Sequence, residues 1–520
     1  MQDDRIQRGA ALLAALVLLA SAGLAAVACD APPGLPPRLV VLYATCTLAK
    51  GELSPYDPAV VWTPRLDAFA RRGVVFARHQ TEAGLSGVDF ASIFSGRHAN
   101  RHGVFTHPTR LEAGVPLITA SFADAGFDVW FWGDHTMASP ALGYARGTPP
   151  AQIVSGGADF RTPDPRAAHP EREGFLRGDD PRFLRLLDGL REEPGRRALV
   201  VTNFTVTHAP YSGGWLAELC RDVPTACADR ASRFEETAEL FWRNYVDLSW
   251  NFEATVSRLG LSQEDVARIA RLAELLYRAN VHRLDGLFGG VVDAIESRGL
   301  LEESVIAFTA DHGELLHRDG ADFPWNHGFA LTPEVLGVPW LLIAPGVAPR
   351  RWSGVTRSID VFPTLAGLAG VTIPDGAVDG EDLASALRGE RPPPVLQAFS
   401  HSALVPRELV RTSLARGGTR LDALYSEGAE GIWVALRDGD RVYKIVRPGP
   451  GVRLERRVYD LDADPAETRD LHDPSDADQA RVFEMLERKR QDLLMAFDAS
   501  ASAKPEPRSL DLLRRLGYVE

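Results

Sequence analysis

Val305-Ile306-Ala307-Phe308-Thr309-Ala310-Asp311-His312-Gly313-Glu314 is the stretch that decides the fold. Val305 to Thr309 is a short apolar run that stops abruptly, the pattern of a buried strand. A carboxylate and an imidazole follow at its C-terminal end, and in open α/β sheets that edge is where ligands bind. Asp311 beside His312 can give one metal two hard or borderline ligands, or give adjacent ligands to two metals. Gly313 permits a tight turn and a close approach of the backbone to a ligand. The same residues also read as a plain strand-end turn, with Asp311 capping the next segment and His312 on the surface.

Outward from this run the chain repeats the pattern. Leu39 to Ala44 is apolar throughout, as a central parallel strand is. Thr63-Pro64 through Gly73 carries a complete helix signal, with Thr63 as N-cap, Pro64 as first helical residue and Gly73 as the stop. Val74 to Phe76 enters a strand. Ser86 to Gly96 and Leu117 to Ala125 read as helices, Phe127 to Trp132 and Ala198 to Phe204 as strands, and Gly143 to Arg177 as a surface excursion. Ser232 to Gly260 and Gln263 to Arg298 have helical periodicity. Trp340 to Ala344 is another strand, and Ile359 to Ala369 a helix. Strands alternating with helices predict a parallel or mixed α/β sheet covered on both faces. After about Pro392 the texture changes. Arg441 to Val446 and Arg457 to Leu461 alternate like antiparallel strands, and Ala480 to Ala496 is amphipathic, which predicts a smaller α+β subdomain. The expected organisation is a tether over 29–37, a main domain over 38–391 with a helical insertion at about 229–298, and a subdomain over 392–520.

The 520 residues, 45% hydrophobic and 24% charged, suffice for a large core in a globular protein. The formal net charge of −13, with no basic cluster along the chain, argues against a nucleic-acid partner. Arg5 and Arg8 precede an apolar stretch, Ala10 to Ala28, that ends in Val27-Ala28-Cys29. Residues 1–28 resemble a bacterial lipoprotein signal, with Cys29 as the lipid-modified residue. An ordinary secretory signal or an uncleaved anchor are the alternatives, and each exports the chain to the cell envelope. Cys220 and Cys227 flank a short polar loop and are a plausible local disulfide in an exported protein.

Four segments line up in order: Cys46 to Leu53; Ser86 to Gly96 with Arg101-His102-Gly103; Asp311 to Glu314; and Trp325-Asn326-His327-Gly328 leading to Val338-Pro339. Together they resemble the sulfatase family of the alkaline-phosphatase superfamily. Tyr459-Asp460-Leu461, Asp464 to Thr468 and Leu513 to Tyr518 resemble that family's C-terminal subdomain. The resemblance implies a central mixed sheet between helices. It implies a divalent metal (calcium, magnesium or zinc) on Asp311 and His312. It places His208 and His327 near the bound ester and Ser86 at the nucleophile position. A helix N-terminus there suits an anionic group.

Several positions depart from the family. Formylglycine sulfatases carry a C-x-P-x-R setting, but here Val88 and Phe90 replace the Pro and the Arg. This argues against formylglycine at Ser86 and leaves an unmodified hydroxyl to attack. Ser86 with Asp89 also reads simply as an N-cap with an acid in the first turn. The first-strand carboxylate ligand is replaced by Cys46, or by Thr45 if the alignment shifts one residue, and Cys46 is either a thiolate ligand or a small buried apolar residue. Glu52 is a spare carboxylate nearby. Asp134 stands where a sulfate-binding Lys is common, with His135 as a substitute contact. Asp319 stands where a His is common. Tyr211 is a further candidate for the substrate pocket. Three functions follow: a metal-dependent hydrolase of sulfate or phosphate esters on a glycan, lipid or small molecule; a phosphoryl-group transferase acting on envelope glycan or lipid; or a binding protein that keeps the fold without the chemistry.

Overall fold

The computed structural model describes residues 36–106, 109–155, 175–228, 234–250, 252–316, 324–328, 331–402, 432–446 and 454–500. The signal segment, Cys29, Asp319 and the stretch Leu513 to Tyr518 lie outside these residues.

The main sheet has eight strands: β1 (Leu39–Thr45), β2 (Val74–Gln80), β3 (Asp128–Gly133), β4 (Ile153–Ser155), β5 (Ala198–Asn203), β6 (Ser304–Ala310), β7 (Trp340–Ile343) and β8 (Arg350–Arg357). Their order is β4-β3-β5-β1-β6-β7-β2-β8. β7 runs antiparallel to β6 and to β2, and the other pairings are parallel. β1 and β6 are apolar throughout because both faces of each are covered. Along β1, Val40, Leu42, Ala44 and then Cys46 enter one core, while Leu39, Val41 and Tyr43 enter the other. β6 alternates likewise, with Val305 and Ala307 opposite in face to Ile306 and Phe308. The register runs Leu39↔Ser304 to Thr45↔Ala310. It therefore sets the residues after β1 directly beside those after β6.

The first helices are α1 (Pro64–Ala70), α2 (Ser86–Ser95), α3 (Ala99–His102) and α4 (Ile118–Asp124). Thr63 precedes α1 as expected, but its side chain makes no cap bond and its hydroxyl accepts from Ser54 N–H (2.9 Å). The cap comes from elsewhere: the Asp285 carboxylate accepts the N–H groups of Arg65 (3.0 Å) and Leu66 (2.7 Å). Burial pushes that carboxyl up to about 7. Ser86 is not an N-cap either. Leu85 holds that place, Ser86 is the first helical residue, and Asp89 reaches back to accept from Ala83 N–H (2.7 Å) and Leu85 N–H (3.1 Å). The Ser86 hydroxyl is thus left for other work. The Gly143–Arg177 excursion is not all surface: Tyr144 is fully buried and donates to Gly87 O (2.8 Å).

Next come α5 (Pro181–Glu192), α6 (Leu216–Asp222), α7 (Phe234–Trp250), α8 (Phe252–Leu259) and α9 (Gln263–Glu296), the last 34 residues long and opened by a Ser262/Asp265 capping box. A disulfide joins Cys220 to Cys227. α10 (Pro333–Leu336), α11 (Val361–Ala369) and α12 (Ala384–Leu387) follow. A second sheet, ordered β12-β11-β10-β9, is antiparallel, with β9 (Gln397–His401), β10 (Val434–Asp438), β11 (Arg441–Val446) and β12 (Glu455–Asp460). Val434, Leu436, Ile445 and Val458 from it share a core with α2, α11 and α13 (Ala477–Ser500). Among the described residues no helix is long and apolar enough to cross a membrane.

Candidate active site

The loops that leave β1, β5 and β6 meet at one edge of the sheet, and the N-terminus of α2 meets them there. Cys46 N–H donates to Phe204 O (2.6 Å), Thr207 Oγ1 donates to Cys46 O (2.5 Å), and Asp311 N–H donates to Thr45 O (3.0 Å). The chain after β1 then turns through Thr47, at φ 58, a conformation that a β-branched residue adopts only under constraint. The constraint is visible. Thr47 N–H donates to Asp311 Oδ1 (2.9 Å), and the Tyr277 hydroxyl of α9 donates to Thr47 O (2.9 Å) while accepting from Ala49 N–H (2.9 Å).

This turn brings Cys46, Asp311, His312 and Ser86 together. All are buried, Ser86 at 2% exposure. Ser86 Oγ lies 3.1 Å from His312 Nε2 and 3.3 Å from Cys46 Sγ. His312 Nδ1 lies 2.9 Å from Gly313 O, a carbonyl that only an N–H can satisfy. That fixes the tautomer and turns the Nε2 lone pair toward Ser86. Gly313 is required here, because a Cβ would sit 1.9 Å from Glu334 O.

Cys46, Asp311 and His312 each offer a ligand atom within 4.8 Å of the others. Asp311 Oδ2 is fully buried and accepts no hydrogen bond. Burial, then the Asp311 charge, pushes the Cys46 thiol well above its ordinary range, and burial raises the Asp311 carboxyl too. In such a sealed pocket the thiol and the carboxyl ionise together only beside a positive partner, and the orphaned oxygen is placed to meet one. These residues therefore fit a divalent metal. Glu52, the spare carboxylate, does not join them; it pairs with Arg278 (3.0 Å).

Two more imidazoles extend the cluster. The His327 ring stacks on His312 at 4.2 Å, and His208 meets His327 edge-on at 5.4 Å. His327 Nδ1 is 3.4 Å from Glu314 Oε1, and Tyr211 donates to Glu314 Oε2 (3.0 Å). Tyr211 is fully buried with its hydroxyl engaged, so it positions Glu314 and through it His327. Burial pushes the Glu314 carboxyl up to about 8. His135 is 3% exposed and lies edge-on to Phe90 at 5.4 Å, its Nδ1 accepting from Met137 N–H (3.2 Å). Asp134 is turned into the protein, accepting from Thr205 N–H (2.9 Å) and Thr205 Oγ1 (2.6 Å).

Behind α2, Glu82 is buried among His98 (3.1 Å), Ser92 (2.8 Å) and Ala99 N–H (2.9 Å). Burial alone would raise its carboxyl, but His98, His401 and His102 outweigh burial and hold it well below the carboxylate range. Nothing in the local sequence singles out Tyr277, Thr207 or Glu82. Tyr277 and Thr207 act on the Cys46 turn from distant elements, while Glu82 braces the back of α2 through Ser92.

A sulfatase family model matches residues 47–371, more than half of the chain. The chain belongs to the sulfatase family. Choline-sulfatase of Rhizobium meliloti is 25% identical over 490 residues, covering 86% of each protein. Among solved structures, the phosphonate monoester hydrolase SpPMH from Silicibacter pomeroyi superposes with a TM-score of 0.59 at 22% identity, covering 87% of this chain and 95% of that one. BT4656, solved in complex with its substrate D-glucosamine-2-N,6-O-disulfate, gives 0.60 at 15% identity, covering 90% and 100%. These two likenesses show the alkaline-phosphatase fold. Family and relatives together support a hydrolase of sulfate or phosphate esters.

Proposed function

We propose that this sulfatase-family protein hydrolyses sulfate or phosphate monoesters with the unmodified Ser86 hydroxyl as nucleophile. The observation that carries the reading is Ser86 Oγ at the first position of α2, 3.1 Å from the lone pair of His312 Nε2. Backbone N–H groups at the start of α2 favour a transferring anion there. Phe90, fully buried, cannot supply the charge that the family's arginine does, so neutralisation falls to the helix terminus, the imidazoles and a metal. Cys46 and Asp311 would hold that metal while the one lone pair of His312 serves Ser86, and a thiolate suits zinc better than calcium or magnesium. When bound, it supplies charge neutralisation and a lower hydroxyl pKa.

Ser86 Oγ passes its proton to His312 Nε2 as it attacks sulfur or phosphorus, and the bond to the leaving oxygen breaks. His327 and His208 are the groups able to protonate that oxygen. Water then displaces Ser86 Oγ, which regains a proton, and inorganic sulfate or phosphate is released. The sulfated or phosphorylated substrate remains open within glycans, lipids and small molecules. Residues 1–29 support export and a lipid on Cys29, which would hold the enzyme at the envelope.

The test is a panel of 4-nitrophenyl sulfate, 4-nitrophenyl phosphate and a phenylphosphonate monoester, with peptide mass across Ser86. Turnover of at least one ester, loss of at least about a thousandfold in Ser86→Ala, and an unmodified Ser86 mass are expected. Turnover that survives Ser86→Ala overturns the assignment. The binding-protein reading is favoured by one observation, the inward turn of Asp134, and a folded chain inactive on every ester would select it.

A further inference from the structure

Lys50, Arg78, Arg351, Arg437 and Lys444 are scattered along the sequence but converge on one cavity of about 510 Å³ between β2, β8 and the β10–β11 pair. A neighbouring cavity of about 670 Å³ shares Lys50, Tyr56, Pro333, Gly337 and Pro465 with it and continues to Glu314. The two form one groove.

The charges of the 510 Å³ cavity do not balance: five cations face Asp440, Asp462 and Glu467, while the second cavity brings Glu52, Glu274, Glu314 and Glu334 against Arg271. Arg78 pairs with Asp440 (2.5 Å) and Lys444 with Glu467 (2.5 Å). The other three cations meet only carbonyl oxygens and a ring. Arg437 is 6% exposed, and its Nε donates to Gly439 O (3.0 Å). Lys50 Nζ donates to Ala77 O (3.0 Å) and lies 5.9 Å from the Tyr56 ring. Arg351 donates to Pro55 O (3.1 Å). Among the described residues that line the 510 Å³ cavity, Asp462, exposed at the rim, is the one carboxylate with no lysine or arginine paired to it. Burial, then Arg437, Arg351 and Arg78, push the Lys50 ammonium down to about 7, and burial, then Arg78, push Arg437 down to about 10. Arg351 is exposed and Lys50 and Arg78 are half-buried, so the crowding is sharpest at the buried Arg437; like charges so close together repel, and a bound anion relieves the repulsion.

We propose that this groove is a second anion site, separate from Ser86, in which Arg437, Lys50 and Arg351 take a sulfate or phosphate group. With Nε held by Gly439 O, the two terminal nitrogens of Arg437 suit two oxygens of a tetrahedral oxyanion, and Lys50 adds a point charge. The site does not depend on Ser86 chemistry, so it stands or falls apart from the hydrolase reading. The group could be a free inorganic anion or a second anionic substituent on the substrate.

Crystals of the full chain soaked in selenate should show an anomalous peak within hydrogen-bond reach of Arg437. In calorimetry with inorganic sulfate and with phosphate, Arg437→Gln and the surface variant Arg351→Gln should each weaken one binding event at least tenfold. Ser86→Ala should leave that event intact. Unchanged affinity in both arginine variants, or a selenate peak confined to the Ser86 cluster, overturns the proposal. If Arg437→Gln fails to fold, Arg351→Gln and the soak decide. A disulfated disaccharide that outbinds its monosulfated form tenfold in the native chain but not in Arg437→Gln makes the substrate the source. Equal binding makes it a free anion.

Discussion

Tyr277→Phe isolates what α9 contributes to the reactive turn. The ring is fully buried and packs at 5.2 Å from Tyr211, and phenylalanine keeps that volume. Only the hydroxyl goes, and with it the bonds to Thr47 O and Ala49 N–H. A buried polar group left without a partner costs about 1–3 kcal/mol. Ala49 is 6% exposed and Thr47 fully buried, so water does not readily replace the phenol. Removing the phenol also removes its own desolvation penalty, which offsets part of the loss, and a net destabilisation of about 2–3 kcal/mol follows. The second effect is local. Thr47 holds a conformation that costs roughly 1–3 kcal/mol, and with one restraint gone the turn relaxes toward ordinary geometry. Thr47 N–H then releases Asp311 Oδ1, and Cys46 moves with it. A displacement of about 1 Å in a reacting centre is worth roughly a hundredfold in rate. Denaturant unfolding gives the first quantity and ester turnover per folded molecule the second. A stability change below about 0.5 kcal/mol with full turnover would refute the reasoning.

Two further outcomes follow. Elemental mass spectrometry of the purified chain should find near-stoichiometric divalent metal that is lost in Asp311→Ala; a folded chain that takes up no calcium, magnesium or zinc in either form would remove the metal from the account. Glu82→Gln should destabilise the chain at neutral pH. Because the folded Glu82 carboxyl is held below its unfolded value and the His98 imidazole above its own, the stabilisation is fullest between about pH 4.3 and about pH 6.5 and is lost as pH falls through the folded Glu82 value or rises through the folded His98 value. The gap between native and variant unfolding midpoints should therefore close on acidification, and a gap that widens would contradict the ion pair.

The inner strands of the main sheet were legible because burial on both faces writes them as apolar runs, whereas β4 and β8 at its two edges, and β9 and β10 of the second sheet, carry no such run and were not legible. Val305 to Thr309 differs from β6 by one residue at each end. The helix after Thr63 was legible too, since Pro64 marks its start, but its cap was not, because Asp285 arrives from 219 to 220 positions away. Ser86 was readable as a helix opener, while its partner His312 stands 226 residues on and depends on register. The antiparallel insertion of β7 between β6 and β2 leaves no local mark, as pairing direction is a tertiary choice. The groove cations were invisible as a group, for a charge cluster built from five elements has no sequence cluster to betray it.

The Thr47 turn also has a bearing on the order in which the protein matures. Its restraints come from Tyr277 and Asp311, 230 and 264 residues further along the chain. Contacts of such separation form late, after the intervening chain has been made and ordered. A growing polypeptide therefore carries the Ser86 hydroxyl and the Cys46 thiol well before β6 delivers the groups that would activate them. The centre stays latent until the sheet closes around it, and a truncated product would inherit the nucleophile without its chemistry.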